Sequence, residues 1–295
     1  MTAQPRYYIT DVFAEQKYSG NQLATFVNCA SFSEKEMQQI AREIHFSETT
    51  FILSNTPVEG GYPVRIFTPE KEVDFAGHPT LGTAYVIARH ILKKPADRVV
   101  LNLKVGQIPV SFSGGPKQTL RMDQKEPLFG KTFSATALAD VLSLPPESFD
   151  TRFPVQEVST GLPHIIVPLK NLKALKSISV DKKNYYRLIE QEKAKCILAF
   201  SPECYAADRQ VSVRMFADYF GVPEDPATGS GNGCLAGYLV KHRYFQSPDI
   251  DILSEQGYEL GRPSLLYLRA SEKSSIITVS VGGKVIPLAE GVWEQ

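Results

Sequence analysis

The chain has 295 residues with 32 basic and 32 acidic side chains, so no global field draws it to nucleic acid or an anionic membrane. No apolar run approaches the roughly 20 residues of a membrane span, and residues 1–8 are polar rather than a signal peptide, so a cytoplasmic location is expected. The four cysteines, Cys29, Cys196, Cys204 and Cys234, contain no CxxC pair, which argues against a zinc knuckle or a disulfide framework and predicts reduced thiols.

In chain order, strand-like runs over 7–9 and 24–27 lead to a helix that opens at Ser33. The Ser33 hydroxyl and Glu36 form a capping box, Met37, Ile40, Ala41 and Ile44 make an apolar stripe, and the helix ends near His45. Strands follow over 50–53 and 62–67. A helix from Pro79 to about His90 is apolar on nearly every side, which predicts burial all round. Further strands are expected over 99–103, 107–112 and 119–122. Helices are few. A second helix of the buried kind is predicted from Asn232 to about Lys241, containing Cys234, Leu235, Ala236, Tyr238, Leu239 and Val240.

One passage occurs twice. Val64-Arg65-Ile66-Phe67, followed by Asp74-Phe75-Ala76-Gly77-His78-Pro79, returns as Val213-Arg214-Met215-Phe216, followed by Asp225-Pro226-Ala227-Thr228-Gly229-Ser230. Arg65 and Arg214 stand 149 positions apart, and Gly77 and Gly229 stand 152 apart, each about half the chain. The expected fold is α+β in two halves, residues 1–128 and 129–295, with a terminal strand over 285–289 able to return to the first half. Each half is expected to be an antiparallel, barrel-like sheet around a central helix whose N-terminus opens toward the other half. The halves should superpose Gly77 on Gly229 and His78 on Ser230. Two helix N-termini facing one cleft would bring unpaired N–H groups and partial positive charge to a carboxylate ligand. The alternative is that Gly77, Gly82, Gly229, Gly231 and Gly233 only permit tight turns and close packing.

Three separated motifs, taken in order, are specific. Ser47-Glu48-Thr49-Thr50-Phe51, Asp74 through Gly82, and Glu224 through Gly231 together resemble the PhzF-type phenazine-biosynthesis isomerase family. The resemblance extends to Asp11-Val12-Phe13 and Gly20-Asn21, and it covers essentially the whole chain. Gln22 departs from the proline usual after Gly-Asn in that family. The resemblance implies a diaminopimelate-epimerase-like fold of two pseudo-symmetric halves, a homodimer, and an active site in the cleft between halves. It implies cofactor-independent proton transfer between carbons of a small carboxylated metabolite, with Glu48 as general acid and base. Apolar neighbours of Glu48 are expected to raise its pKa toward the working pH. His78 and Asp225 match the family's other polar site residues. His78 could hold or polarise a substrate oxygen or amine, while Asp225 could bind an amino or hydroxyl group or share the proton inventory with Glu48. Ser47, Gly77, Gly229 and Ser230 would supply N–H and hydroxyl donors to the ligand carboxylate.

Related two-cysteine racemases place a thiol just before each paired glycine. Ala76 and Thr228 stand there instead, so thiol racemisation is disfavoured and Cys234 reads as core. The stretch from Gly229 to Gly233 lacks the GxGxxG spacing and follows turn-forming residues 223–226 rather than a strand, which weakens a dinucleotide reading. His45, His78, His90, His164 and His242 show no HExxH or other short pairing, so neither metal nor cofactor is expected. No GxSxG elbow occurs. The alternative from another class is a non-catalytic module that binds a metabolite or protein through the same cleft; the presence of Glu48, His78 and Asp225 favours the enzyme.

Overall fold

A computed structural model describes residues 4–113 and 118–294, so the start of the polar N-terminal segment lies outside the described residues. The fold is mixed, with 24% helix and 41% strand in a sheet that does not close. Two compact units divide the chain, residues 1–123 with 282–295 and residues 124–281.

The first unit holds β1 (Arg6–Val12), β2 (Asn21–Val27), α1 (Glu34–Ile44), β3 (Glu48–Ile52), β4 (Tyr62–Phe67), β5 (Glu72–Val73), α2 (Gly77–Val86), β6 (Arg98–Leu103), β7 (Gly106–Ser113) and β8 (Thr119–Gln124). The second holds β9 (Leu128–Phe133), α3 (Ala135–Leu142), β10 (Val155–Ser159), β11 (Pro163–Pro168), α4 (Leu172–Lys176), α5 (Lys182–Ile189), β12 (Cys196–Ser201), β13 (Val211–Ala217), β14 (Val222–Asp225), α6 (Gly229–Lys241), β15 (Asp249–Gln256), β16 (Ser264–Lys273) and β17 (Ile276–Gly283). The last strand, β18 (Val285–Val292), pairs antiparallel with β1 in the first unit.

Pairing is mostly antiparallel, including β9 with β10 across α3, and each of the parallel pairs has a helix in its connection. In the first unit β2 runs parallel to β3 across α1, and β4 parallel to β6 across α2. The second unit repeats the plan: β11 runs parallel to β12 across α4 and α5, and β13 parallel to β15 across α6. A parallel neighbour needs a crossover long enough to return the chain to the starting end, and these helices supply it.

Strand alternation sorts side chains into two layers. Ala24, Phe26, Phe51 and Phe67 pack with Met37, Ile40 and Ala41 of α1. Thr25 and Thr50 meet Thr83 of α2, hydrogen-bonded Thr83 to Thr50 at 2.8 Å and Thr50 to Thr25 at 3.0 Å. The α1 helix has the expected ends, with both halves of the Ser33–Glu36 capping box formed and His45 in the left-handed conformation closing it. The two central helices begin two and three residues earlier than the expected Pro79 and Asn232, at Gly77 and Gly229. Glycine is a poor helix former, and burial of nearly every residue in these first turns overrides that propensity.

Two expectations change. Of residues 223–226, expected as a turn, the first three lie in the short strand β14 against β13. The second unit also carries α3, α4 and α5, whose apolar side chains join Tyr185, Phe149 and Phe216 in one core.

Candidate active site

In the first unit, the site residues converge because α1 stops abruptly. After His45 the chain turns within residues 45–47 and enters β3 at Glu48, beside Leu23 of β2. His78 is the second residue of α2. Its Nε2 lies 3.5 Å from Glu48 Oε2, with the side chains 4% and 18% exposed. The distance suits a loose ion pair, but burial pushes the His78 pKa down to about 3, only partly offset by a hydrogen bond to the Gln22 backbone. The ring is therefore neutral near neutral pH. Nε2 takes no part in the Gln22 bond; the hydrogen-bond pattern thus assigns the ring proton to Nδ1 and leaves the Nε2 lone pair toward Glu48. A proton on the Glu48 carboxyl has an acceptor within reach. Ser47 directly precedes Glu48, and Gly77 opens α2 beside His78.

In the second unit, Asp225 ends β14 and Gly229 and Ser230 open α6. All three are buried. Thr228 Oγ1 donates to Asp225 Oδ2 at 2.5 Å, and Gln256 Nε2 donates to the Asp225 carbonyl at 2.7 Å. No side chain caps the N-terminus of α2 or of α6. First-turn N–H groups without a side-chain cap suit an anionic ligand.

The repeated arginines brace the strands before these loops. Arg65 clasps Glu72 at 2.7 and 2.5 Å, and Arg214 clasps Glu224 at 2.8 Å through both nitrogens. Arg214 also donates to the Leu175 and Ile178 carbonyls at 3.1 and 3.0 Å. A planar fork with several donors fits this geometry as lysine would not. The packing role of three glycines is direct: a β-carbon at Gly82 would lie 2.5 Å from Leu23, at Gly231 2.8 Å from Leu198, and at Gly233 1.8 Å from Gln124.

Among the described residues, no three His, Cys, Asp or Glu side chains converge as metal ligands. Burial pushes the Cys234 thiol up to about 11 and the Cys29 and Cys204 thiols up to about 12. Cys234 packs in the core, 3.8 Å from His164 Nδ1, whose own pKa burial lowers to about 4. With both groups neutral, this is not a thiolate–imidazolium pair.

The model of the family described as phenazine biosynthesis-like protein matches residues 10–291. The chain belongs to this family. Among its relatives, the trans-2,3-dihydro-3-hydroxyanthranilate isomerase of Pseudomonas aeruginosa is 35% identical over 97% of this chain and 98% of that protein. The enzyme class read from the sequence, isomerase, agrees with the names of the phenazine biosynthesis-like relatives. Among solved structures, a PhzF-family phenazine biosynthesis protein of Bacillus anthracis has a TM-score of 0.90 at 24% identity, covering 99% of this chain and 100% of that one. A probable proline racemase of Agrobacterium radiobacter shares the fold at a TM-score of 0.61 and 10% identity, covering 98% of this chain and 93% of that one.

Sequence reasoning had singled out neither Gln256 nor Asn232 nor Ser254 around Asp225, and it had placed Thr228 only as the residue standing where a thiol would be. A signal was present. Asn232 lies inside a helix expected to be buried all round, where an amide must find partners.

Proposed function

We propose that the protein is a cofactor-independent isomerase that moves a proton between carbons of a small carboxylated metabolite, with Glu48 as the general acid and base. The observation that carries this reading is the Glu48–His78 pair: a carboxyl 3.5 Å from a buried imidazole that burial keeps neutral. A neutral imidazole brings no positive charge that would pin Glu48 as a carboxylate, so the side chain can serve both as the acid that gives a proton and as the base that takes one back. Ser47 and Gly77 serve as donors to a ligand carboxylate in the first unit. Asp225, Gly229 and Ser230 form a ligand-holding set in the second. A homodimer is part of the same proposal, on the family resemblance alone.

The relatives supply the assay substrate, trans-2,3-dihydro-3-hydroxyanthranilate. Incubated with the protein in deuterated water, it should gain deuterium at a carbon position, read by NMR. Glu48→Gln keeps size and most hydrogen bonds while removing acid and base, and should slow turnover by about a hundredfold to ten-thousandfold. A glutamine variant that exchanges deuterium at the wild-type rate would show that another group carries the proton.

A further inference from the structure

Asp225 is the end of a directional chain of buried hydrogen bonds. Ser254 Oγ donates to Asn232 Oδ1 at 2.7 Å, and Asn232 Nδ2 donates to Gln256 Oε1 at 2.9 Å. Gln256 Nε2 donates to Thr228 Oγ1 at 3.1 Å, and the Thr228 hydroxyl donates to Asp225 Oδ2 at 2.5 Å. All five residues are buried, Asn232 and Ser254 completely.

The direction is set by what else the two amides do. Asn232 Nδ2 also donates to the Thr228 carbonyl at 3.1 Å, while Gln256 Nε2 donates to the Asp225 carbonyl at 2.7 Å and its Oε1 accepts from the Thr228 N–H at 3.2 Å. Turning Gln256 over would set donor against donor and acceptor against acceptor, and turning Asn232 over would set its Oδ1 against the Gln256 Oε1 and the Thr228 carbonyl. The Thr228 oxygen receives the Gln256 N–H, which commits its single proton to Asp225. Each link polarises the next in a low-dielectric interior, and the chain ends on a carboxylate oxygen. Amides do not pass protons along, so the chain orients and stabilises a charge.

We propose that Thr228, Gln256, Asn232 and Ser254 are positioning residues that hold Asp225 as an oriented carboxylate, an acceptor that selects ligands bearing an amino or hydroxyl donor and does not itself carry the transferred proton. The proposal rests on the reading of Asp225 as a ligand-contacting residue. It also accounts for the residue before Gly229: a hydroxyl there is used to set Asp225.

The test compares Thr228→Val, which keeps the shape and removes the donor, with Thr228→Ser, which restores it, and with Asp225→Asn. Turnover is measured with trans-2,3-dihydro-3-hydroxyanthranilate, and crystal structures of wild type and Thr228→Val are compared. Thr228→Val should lower kcat/KM by about 10- to 100-fold, the worth of one hydrogen bond to a charged group. Thr228→Ser should recover most of that loss, and the Asp225 carboxylate should leave its wild-type orientation in the valine variant. A fully active Thr228→Val beside an inactive Asp225→Asn overturns the positioning role and leaves Asp225 in place. So does a serine variant as impaired as the valine one. A fully active Asp225→Asn overturns the reading of Asp225 itself. If wild type does not turn this substrate over, the crystal structures decide: an unmoved Asp225 carboxylate in Thr228→Val refutes the proposal.

Discussion

Replacing His78 or His164 with asparagine should remove part of the acid sensitivity of the fold. Asparagine can place an N–H near the position of Nδ1, which in His164 faces the Leu162 carbonyl at 2.9 Å, but it cannot titrate. In the folded chain, burial lowers the His78 pKa to about 3 and the His164 pKa to about 4, against 6.5 for a solvated ring. Below 6.5 the unfolded chain binds a proton that the folded chain refuses. Stability from keeping each ring neutral is thus complete above 6.5 and lost as pH falls toward the folded value. Between about pH 7.5 and about pH 5 each ring should cost about 2 kcal/mol, or about 4 kcal/mol together. Glu36, Glu72, Asp150 and Asp218 have lowered pKa values, so their losses begin only as pH falls through the carboxylate range, below this window. His90 and His242, more weakly lowered by partial burial, add in the same direction. Urea unfolding followed by far-ultraviolet circular dichroism across the window measures the slope. Each variant should lose about 2 kcal/mol less than wild type between the two pH values, whatever its constant cost at pH 7.5. A variant with the wild-type slope would show that the replaced ring takes up its proton in the folded state, and the neutral-imidazole description of the Glu48 pair would fall with it in the case of His78.

Other substitutions test the frame around the site. Gly82→Ala drives a methyl to 2.5 Å from Leu23 and 2.9 Å from Val12, and should lower stability by about 1–3 kcal/mol in thermal unfolding. Arg214→Met leaves the Glu224 carboxylate and the Leu175 and Ile178 carbonyls without their donor, and should cost about 3–5 kcal/mol in chemical denaturation. Ser33→Ala removes the hydroxyl that accepts the Glu36 N–H, while the Ser33 N–H keeps its bond to the Glu36 carboxylate, and should cost about 1 kcal/mol, with little change in turnover. Cys234→Ala should keep turnover in a folded protein, because its thiol is buried and held protonated; loss of activity at unchanged stability would reopen a thiol mechanism.

What the sequence determined by itself was local or repeated. The α1 helix was legible because its cap, stripe and stop all lie within the segment from Ser33 to His45. The strand over Tyr62–Phe67 was legible from its β-rich composition, and the buried character of α2 and α6 from apolar residues on every side. The motifs around Glu48, Gly77 and Gly229 carried the family. The rest depends on residues distant in sequence. Glu48 and His78 stand 30 positions apart, and only the return of the chain through β4 brings them within 3.5 Å. The parallel strand pairs depend on which end of the sheet each crossover helix reaches, and α3, α4 and α5 are short segments whose burial comes from a shared core. The partners of Asp225 come from α6 and from β15, 31 residues away in the case of Gln256. A buried amide in a sequence announces that it needs partners. Which ones it finds is set by packing, because hydrogen-bond geometry exists only once the strands and helices have met.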